Sequence, residues 1–347
     1  MSKLLRILLI AAVTLLLLAL FLRNSDPKEV LGVLGSIRPG WFVAALLTNF
    51  SALLFRTARW RTVLGASSGM RPPLYDTFLS TAIGFMSSAI LPIRAGDVVR
   101  PALLSRRTGI RFATALGTVV CERLIDLVAV LSMFLVFAST AGRALSADPA
   151  TSRKAILIHS AATVATLVLL AIATLVVLLY LFRERARSLQ MRVSTWLPKR
   201  VRRGWIAFFD SLSAAIEILG SPRVLARVIV FTAGIWLCLT GQFILVLYAM
   251  GRPLPYVASF LVTGMTILGI SIPTPGGVGG FHKAAQMALT NFYGFGVSAS
   301  VAVALVFHIV GTAPVVLTGL ALFVREGMSV RQLARIREGG SEGEEGG

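Results

Sequence analysis

The sequence is poor in the residues from which soluble enzymes build active sites and cross-links. Its 347 residues include only two cysteines, three histidines and 15 acidic residues. Cys121 and Cys238 lie inside apolar runs, where a thiol usually packs as a small apolar side chain, so we expect neither a disulfide nor a metal site. His159, His282 and His308 have no spacing with carboxylates that would supply zinc ligands, and no nucleophile, base and acid share a motif. We therefore expect no cofactor and no enzyme active site.

Charge is scarce as well, and apolar residues dominate. Charged residues make up 14% of the chain and hydrophobic residues 56%, with a mean hydropathy of +0.82, which excludes a soluble domain of this length. Apolar runs of about 20 residues cross a hydrocarbon core of roughly 30 Å. The sequence therefore predicts an all-α polytopic membrane protein with about six full spans, at residues 4–22, 41–55, 113–138, 156–182, 224–250 and 298–324.

The net charge of +19 does not indicate nucleic-acid binding, because the basic residues lie beside the ends of the spans. Cytoplasmic loops of membrane proteins collect Lys and Arg. The densest basic stretch, residues 183–203, is therefore expected in the cytoplasm, and counting spans outward from it places both termini there too. The chain is expected in a plasma membrane, with lipid rather than nucleic acid as its partner.

An unusual apolar element with a Pro and Gly break occurs twice. The copies are FLSTAIGFMSSAILPIRAGDVVRPALL from Phe78 and FLVTGMTILGISIPTPGGVGGFHKAAQMAL from Phe260, and related stretches follow from Gly109 and Gly296. Broken apolar segments at corresponding positions of two repeats are typical of transport sites. The repeats are centred on residues 74–138 and 255–324.

The charge bias gives these two segments opposite orientations. The topology closes only if residues 74–107 enter and leave the membrane on the cytoplasmic side, and residues 255–293 on the outer side. The sequence thus predicts two re-entrant helical hairpins in an inverted repeat. The alternative is that Pro92 and Pro273 only kink two ordinary spanning helices, which gives about eight spans.

The first break is followed by charged residues that suit a headgroup site. Arg94, Asp97 and Arg100 recur every three residues and share one face of the helix that restarts after Gly96. Guanidinium groups bind phosphate in bidentate fashion, and the amides of a helix N-terminus favour anions. The alternative is that these charges only anchor the hairpin at the cytoplasmic interface.

The second break supplies flexible backbone and further candidates. The chain there can approach a ligand closely, and His282 and Lys283 could add positive charge. The candidate binding residues of this hairpin are Pro273, Pro275, Gly276, Gly277, Gly279, His282 and Lys283.

Three ionisable residues lie inside a predicted span. Glu122, Arg123 and Asp126 must be paired or hydrated there, because charged groups in hydrocarbon are costly. They form either a substrate-facing or proton-coupling cluster or a structural ion pair between helix and hairpin. Arg56, Arg59 and Arg61, interleaved with Trp60, are predicted to form a belt at the cytoplasmic interface.

Four motifs carry a family resemblance: RTARW at 56–60, LPIRAGDVVRPALLSRRTGI at 91–110, CERLIDL at 121–127 and PTPGGVGG at 273–280. The chain resembles the lysylphosphatidylglycerol synthase transmembrane-region family of flippase-like proteins. The resemblance implies a bacterial or archaeal membrane protein that handles polar lipids. The family more often has an acidic residue after the glycine run, where this chain has Phe281-His282-Lys283.

The best-known members of that family carry a soluble aminoacyl-transferase domain, which the 23 or so residues after Val324 are too few to form. We expect one transmembrane domain over 1–324 and a disordered polar tail over 325–347. The expected function is a transporter that moves the headgroup of an anionic or polyprenyl-phosphate-linked lipid. The alternative is a non-transporting, lipid-binding accessory protein for a membrane glycosyltransferase or lipid synthase.

Overall fold

The structure is a computed structural model that describes residues 3–90, 95–145, 152–196, 221–271 and 274–329, with isolated positions between 198 and 209. All regular elements of this part of the chain are helical. A short 3-10 helix covers Pro275–Gly277. The α-helices are α1 (Lys3–Leu22), α2 (Pro27–Gly35), α3 (Pro39–Ser68), α4 (Leu74–Ile90), α5 (Gly96–Thr108), α6 (Phe112–Leu145), α7 (Ser152–Leu181), α8 (Arg183–Thr195), α9 (Pro222–Ala249), α10 (Ala258–Ile270), α11 (Gly280–Tyr293) and α12 (Val297–Arg325).

The helices confirm the predicted class of an all-α polytopic membrane protein. Within the described ranges, α3, α7, α9 and α12 are long and apolar enough to cross a membrane. The other two predicted spans fall on α1, of 20 residues, and α6, of 34 residues. The first half of α6 carries three charged side chains, Glu122, Arg123 and Asp126, whose partners are described below.

The two Pro and Gly segments each form a pair of short helices. Helices α4, α5, α10 and α11 have 17, 13, 13 and 14 residues. A 13-residue helix is only about 20 Å long, less than the roughly 30 Å of a hydrocarbon core. In the first pair, Arg107 near the end of α5 donates from Nε to Asp76 Oδ1 in the first turn of α4, at 2.6 Å. The two legs therefore run antiparallel, as a helical hairpin.

Both hairpins use a glycine on the first leg to bring the second leg close. A Cβ added at Gly84 would lie 2.6 Å from Arg100 Cβ and 3.2 Å from the carbonyl oxygen of Gly96. A Cβ added at Gly269 would lie 2.7 Å from the carbonyl carbon of Gly280. No side chain larger than hydrogen fits at either position unless the backbone moves. The repeat seen in the sequence thus has a steric counterpart in each hairpin.

The described residues fall into two compact units, which we call unit 1 and unit 2. Unit 1 comprises the described residues of Met1–Ala52, Phe85–Ala95 and Trp236–Leu320, and unit 2 those of Leu53–Gly84, Gly96–Ile235 and Ala321–Gly347. The buried core of unit 1 includes Phe243, Val262, Leu289, Val303 and Phe307. The buried core of unit 2 includes a cluster of Trp60, Leu64, Leu104, Ile110, Ala115 and Val119.

The single transmembrane domain over 1–324 and the disordered tail over 325–347 remain predictions. The structure describes the tail only as far as residue 329.

Candidate functional site

A cluster of buried charges occupies the interior of unit 2. Arg59 of α3, Arg100 of α5 and Glu122 of α6 have side chains that are 2%, 3% and 1% exposed. Glu122 accepts from Arg59 Nε at 3.1 Å through Oε1, and from Arg100 Nη2 through Oε2. One carboxylate therefore links two arginines and ties three helices together, including the second leg of the first hairpin.

Further polar groups complete the surroundings of these arginines. Asp126, one turn after Glu122 and 20% exposed, accepts from Arg59 Nη1 at 2.7 Å. The guanidinium carbon of Arg100 lies 4.2 Å from the ring centroid of Trp60, whose Nε1 donates to Thr118 Oγ1 at 3.0 Å. Buried ions persist only when they are paired and hydrogen-bonded in this way. The carboxylates of Glu122 and Asp126 are therefore each paired with an arginine in the packed interior of unit 2.

At its more exposed edge the cluster ends in a loose ion pair, which we call the Arg123–Asp97 pair. Arg123 Nη2 lies 3.4 Å from Asp97 Oδ1, and its Nη1 lies 3.9 Å from Asp126 Oδ2. The side chains of Arg123 and Asp97 are 38% and 36% exposed. Charge-assisted hydrogen bonds are normally about 2.7–2.9 Å long. Arg123 Nε is buried and makes no hydrogen bond within the described residues. This edge is where a ligand meets the least competition from existing contacts.

The structure brings together five residues that the sequence proposed from two separate motifs: Asp97, Arg100, Glu122, Arg123 and Asp126. Gly96 is buried and begins α5. Arg94 lies outside the described residues.

The predicted interfacial belt is wrong for Arg59 and Trp60, which are almost fully buried. The predicted span ended at residue 55, whereas α3 continues to Ser68 and carries both side chains into the packed interior. The spacing within RTARW gave no sign of the carboxylate on α6 that Arg59 meets. A cation that follows an apolar run and belongs to a continuing helix is a signal for burial when a later span contains carboxylates.

The break of the second hairpin lies in unit 1 and depends on glycine backbone. Gly276, Gly277 and Gly279 have φ values of 62°, 69° and 91°, a region that other residues rarely adopt. The 3-10 turn there starts at Pro275, and α11 begins at Gly280. Pro273 lies outside the described residues. The glycines thus make the sharp reversal that the sequence predicted.

Two histidines meet at this break. His308 of α12 donates from Nε2 to the carbonyl oxygen of Gly276 at 3.0 Å, and its ring centroid lies 4.6 Å from that of His282. His282 is 2% exposed and packs against the rings of Phe21 and Phe281. An imidazolium held among aromatic rings would be costly, so this packing suits a neutral His282. The sequence gave no pattern linking His308 to Gly276, because that contact is to backbone across 32 positions.

Lys283 points away from the histidine pair. Its side chain is exposed and donates from Nζ to Gln286 Oε1 at 2.9 Å. A cavity of about 310 Å³ lies beside His308 and Gly276, with Thr14 and Thr312 among its otherwise mainly apolar lining. The structure thus places His282 at the break beside His308, whereas the ammonium group of Lys283 is bonded to Gln286.

The two repeats tie each hairpin to the following helix in different ways. Aligning Gly109 with Gly296 places His308 opposite Cys121, one position before Glu122. In unit 2 the link is a salt bridge from Glu122 to Arg100 of the hairpin, and in unit 1 it is a hydrogen bond from His308 to the backbone of the hairpin. Charge is concentrated in only one of the two repeats.

A second ion-pair group lies at the exposed end of the first hairpin. Glu326, just after α12, accepts from Tyr75 Oη and from Arg107 Nη1, both at 2.7 Å. These two hydrogen bonds, that from Tyr75 first, hold the pKa of Glu326 below its ordinary value. The same bond raises the pKa of Tyr75. The group connects the open end of the hairpin to the end of α12.

These features define a polytopic helical membrane protein with a buried ion-pair cluster beside a broken helical hairpin. The chain belongs to the family described as the lysylphosphatidylglycerol synthase TM region, which it matches over residues 4–319. It is also similar to glycosyltransferase AglD of Haloferax volcanii, with 26% identity over 353 aligned positions. That alignment covers 94% of this chain and 56% of the relative, so the chain spans little more than half the relative's length. The family match indicates a membrane function connected with lipids.

Proposed function

We propose that the protein moves the polar headgroup of an anionic phospholipid or a polyprenyl-phosphate-linked lipid across the membrane. The observation that carries this proposal is the ion-pair cluster of unit 2, which places charge inside apolar helices and leaves its edge open at Arg123. Intramembrane charges are costly and usually serve a function. An open edge gives a headgroup a place to bind.

The charge balance of the cluster favours an anionic headgroup. Arg56 interacts electrostatically with Asp126 and Arg123, so four arginines face three carboxylates. The arginines are Arg56, Arg59, Arg100 and Arg123, and the carboxylates are Asp97, Glu122 and Asp126. Among the described residues, the arginines of the cluster thus outnumber its carboxylates by one, and a phosphate offers the fork-shaped guanidinium its preferred partner.

The two hairpins supply the moving parts in this proposal. Each enters from one side of the membrane and returns to the same side, the first from the cytoplasm and the second from outside, with both chain termini in the cytoplasm. This orientation rests on the Lys and Arg bias of the loops. Glu122 holds the buried arginines in place, Arg123 binds the headgroup, and Asp97 helps to release it. The expected location is the plasma membrane of a bacterium or archaeon.

The test uses the purified chain in liposomes that contain fluorescent phosphatidylglycerol or phosphatidylcholine, with transbilayer movement followed by quenching from outside. Arg123→Gln should slow the movement of phosphatidylglycerol at least tenfold, because it removes the open guanidinium but leaves the Glu122 pairs intact. Arg252→Gln, at an exposed arginine outside the cluster, is the matched control and should transport normally. Equal rates in both variants and the unaltered protein would refute the proposed role of the cluster.

A second candidate function is suggested by the similarity to a glycosyltransferase. A protein of this family could hold a lipid for a glycosyltransferase or lipid synthase, or take part in such a reaction, without moving the lipid. Lipid binding that depends on Arg123 in liposomes without any transbilayer movement would select this function. Release of a modified lipid on addition of a sugar or aminoacyl donor would select an enzyme.

A further inference from the structure

We infer that Asp97 is an internal competitor for the substrate: its carboxylate occupies Arg123 in the empty site, and the phosphate of a lipid headgroup displaces it. This inference rests on the proposed function, because it concerns the same site. It adds the regulation of that site and the chemical group that the site recognises.

The geometry distinguishes Asp97 from the other carboxylates of the cluster. Glu122 is 1% exposed and is fixed by two arginines, so a ligand could remove it only by exposing buried charge. Asp126 holds Arg59 at 2.7 Å. Asp97 is 36% exposed and lies 3.4 Å from Arg123, which is a longer contact than a charge-assisted hydrogen bond. It is the carboxylate of the cluster that can leave with the least disturbance.

The position of Asp97 on its helix favours such an exchange. It is the second residue of α5, where a carboxylate favours the positive end of the helix dipole. A phosphate that replaces it at Arg123 meets the same helix end and the same guanidinium. The outgoing carboxylate is already partly exposed, so it stays close to the site and can compete again. Its return helps to expel the headgroup after transport.

The arginine is also prepared for a larger ligand. Arg123 Nε is buried and makes no hydrogen bond in the described part of the chain, and its two terminal nitrogens make only long contacts. A phosphate presents several oxygens to a guanidinium, whereas Asp97 presents one oxygen here. The ligand class is therefore a lipid with a phosphate and no cationic group, since the cluster already has an excess of arginine.

The experiment measures how phosphatidylglycerol, phosphatidylcholine and soluble glycerol phosphate each raise the thermal unfolding midpoint of the detergent-purified chain. Asp97→Asn keeps the shape of the side chain but removes its charge. It should lower the half-saturating concentration of phosphatidylglycerol roughly two- to fivefold, as expected for loss of one exposed ion pair. Asp97→Glu should restore the original value, and Arg123→Gln should abolish the stabilisation.

Asp76→Asn is the matched control, because Asp76 also lies in the first turn of a hairpin helix and pairs with an arginine, Arg107. Unchanged or weaker binding of phosphatidylglycerol by Asp97→Asn would overturn the inference. An equal gain of affinity in Asp76→Asn would overturn it as well, and so would the absence of stabilisation in all variants. Stabilisation by glycerol phosphate equal to that by phosphatidylglycerol would identify a free phosphate site instead of a lipid site.

Transport in liposomes separates this inference from the proposed function. Tighter binding by Asp97→Asn with slower lipid movement supports both. If Asp97→Asn binds phosphatidylglycerol more tightly but neither any variant nor the unaltered protein moves lipid, the competitor role of Asp97 is supported and the transport function is refuted. If Asp97→Asn moves lipid at the normal rate and binds phosphatidylglycerol with unaltered affinity, the transport function stands and the competitor role of Asp97 is refuted.

Discussion

Removing the carboxylate of Glu122 should destabilise unit 2 more than any other single change in the charged cluster. Glu122 accepts from two buried arginines, and a hydrogen bond to a charged group contributes about 1.5–3 kcal/mol. Glu122→Ala removes both, and breaking a buried ion pair typically costs about 3–5 kcal/mol. Asp126→Ala removes one such bond at a more exposed position and should cost roughly half as much.

Thermal unfolding in detergent, followed by tryptophan fluorescence, is a suitable assay. The ring of Trp60 lies against Arg100, so its emission reports on this cluster. A loss of about 3–5 kcal/mol corresponds to a fall of roughly 6–20 °C in the midpoint. The double variant Arg100→Met/Glu122→Leu should recover much of that loss, because an apolar pair replaces a charge left without its partner.

Two outcomes would contradict this account. A midpoint for Glu122→Ala within a degree of the unaltered protein would mean that the carboxylate does not secure the hairpin. A double variant less stable than either single variant would mean that the ion pair stabilises unit 2 more than an apolar pair does at the same positions.

Two further predictions concern other parts of the fold. Gly269→Ala should lower the unfolding midpoint by several degrees, because the added Cβ meets the backbone of Gly280. Gly40→Ala is the control and should leave the midpoint unchanged, because no atom lies within 4 Å of its added Cβ. Equal midpoints in the two variants would refute the close contact. Because the pKa of Glu326 is lowered in the folded state, its bond from Tyr75 stabilises the folded state fully at pH values above the ordinary glutamate pKa. This stabilisation is lost as the pH falls through the lowered pKa of Glu326. The unaltered protein should therefore lose more stability than Tyr75→Phe between pH 6 and about pH 3, and parallel unfolding curves would show that the bond contributes nothing.

The sequence predicted the parts of this fold that depend on local chemistry. Glycine and proline identified both breaks, because only they permit or force such backbone, and hydropathy identified the long spans. Three charges inside one apolar run predicted a cluster, since each needed a partner. The sequence did not predict the partners of Arg59 and His308, because Glu122 and the Gly276 carbonyl are brought to them by tertiary packing. No periodicity within one helix encodes which face of another helix it meets.

The close glycine contacts also indicate which positions of the two hairpins tolerate substitution. Gly84 and Gly269 solve the same steric problem in the two repeats, while the buried salt bridges belong to one of them. Backbone packing therefore constrains both hairpins in the same way, whereas the buried salt bridge to Glu122 constrains the first hairpin. Mutational tolerance should differ accordingly: the glycines of both halves are equally constrained, whereas polar positions in the second half are free to diverge among relatives.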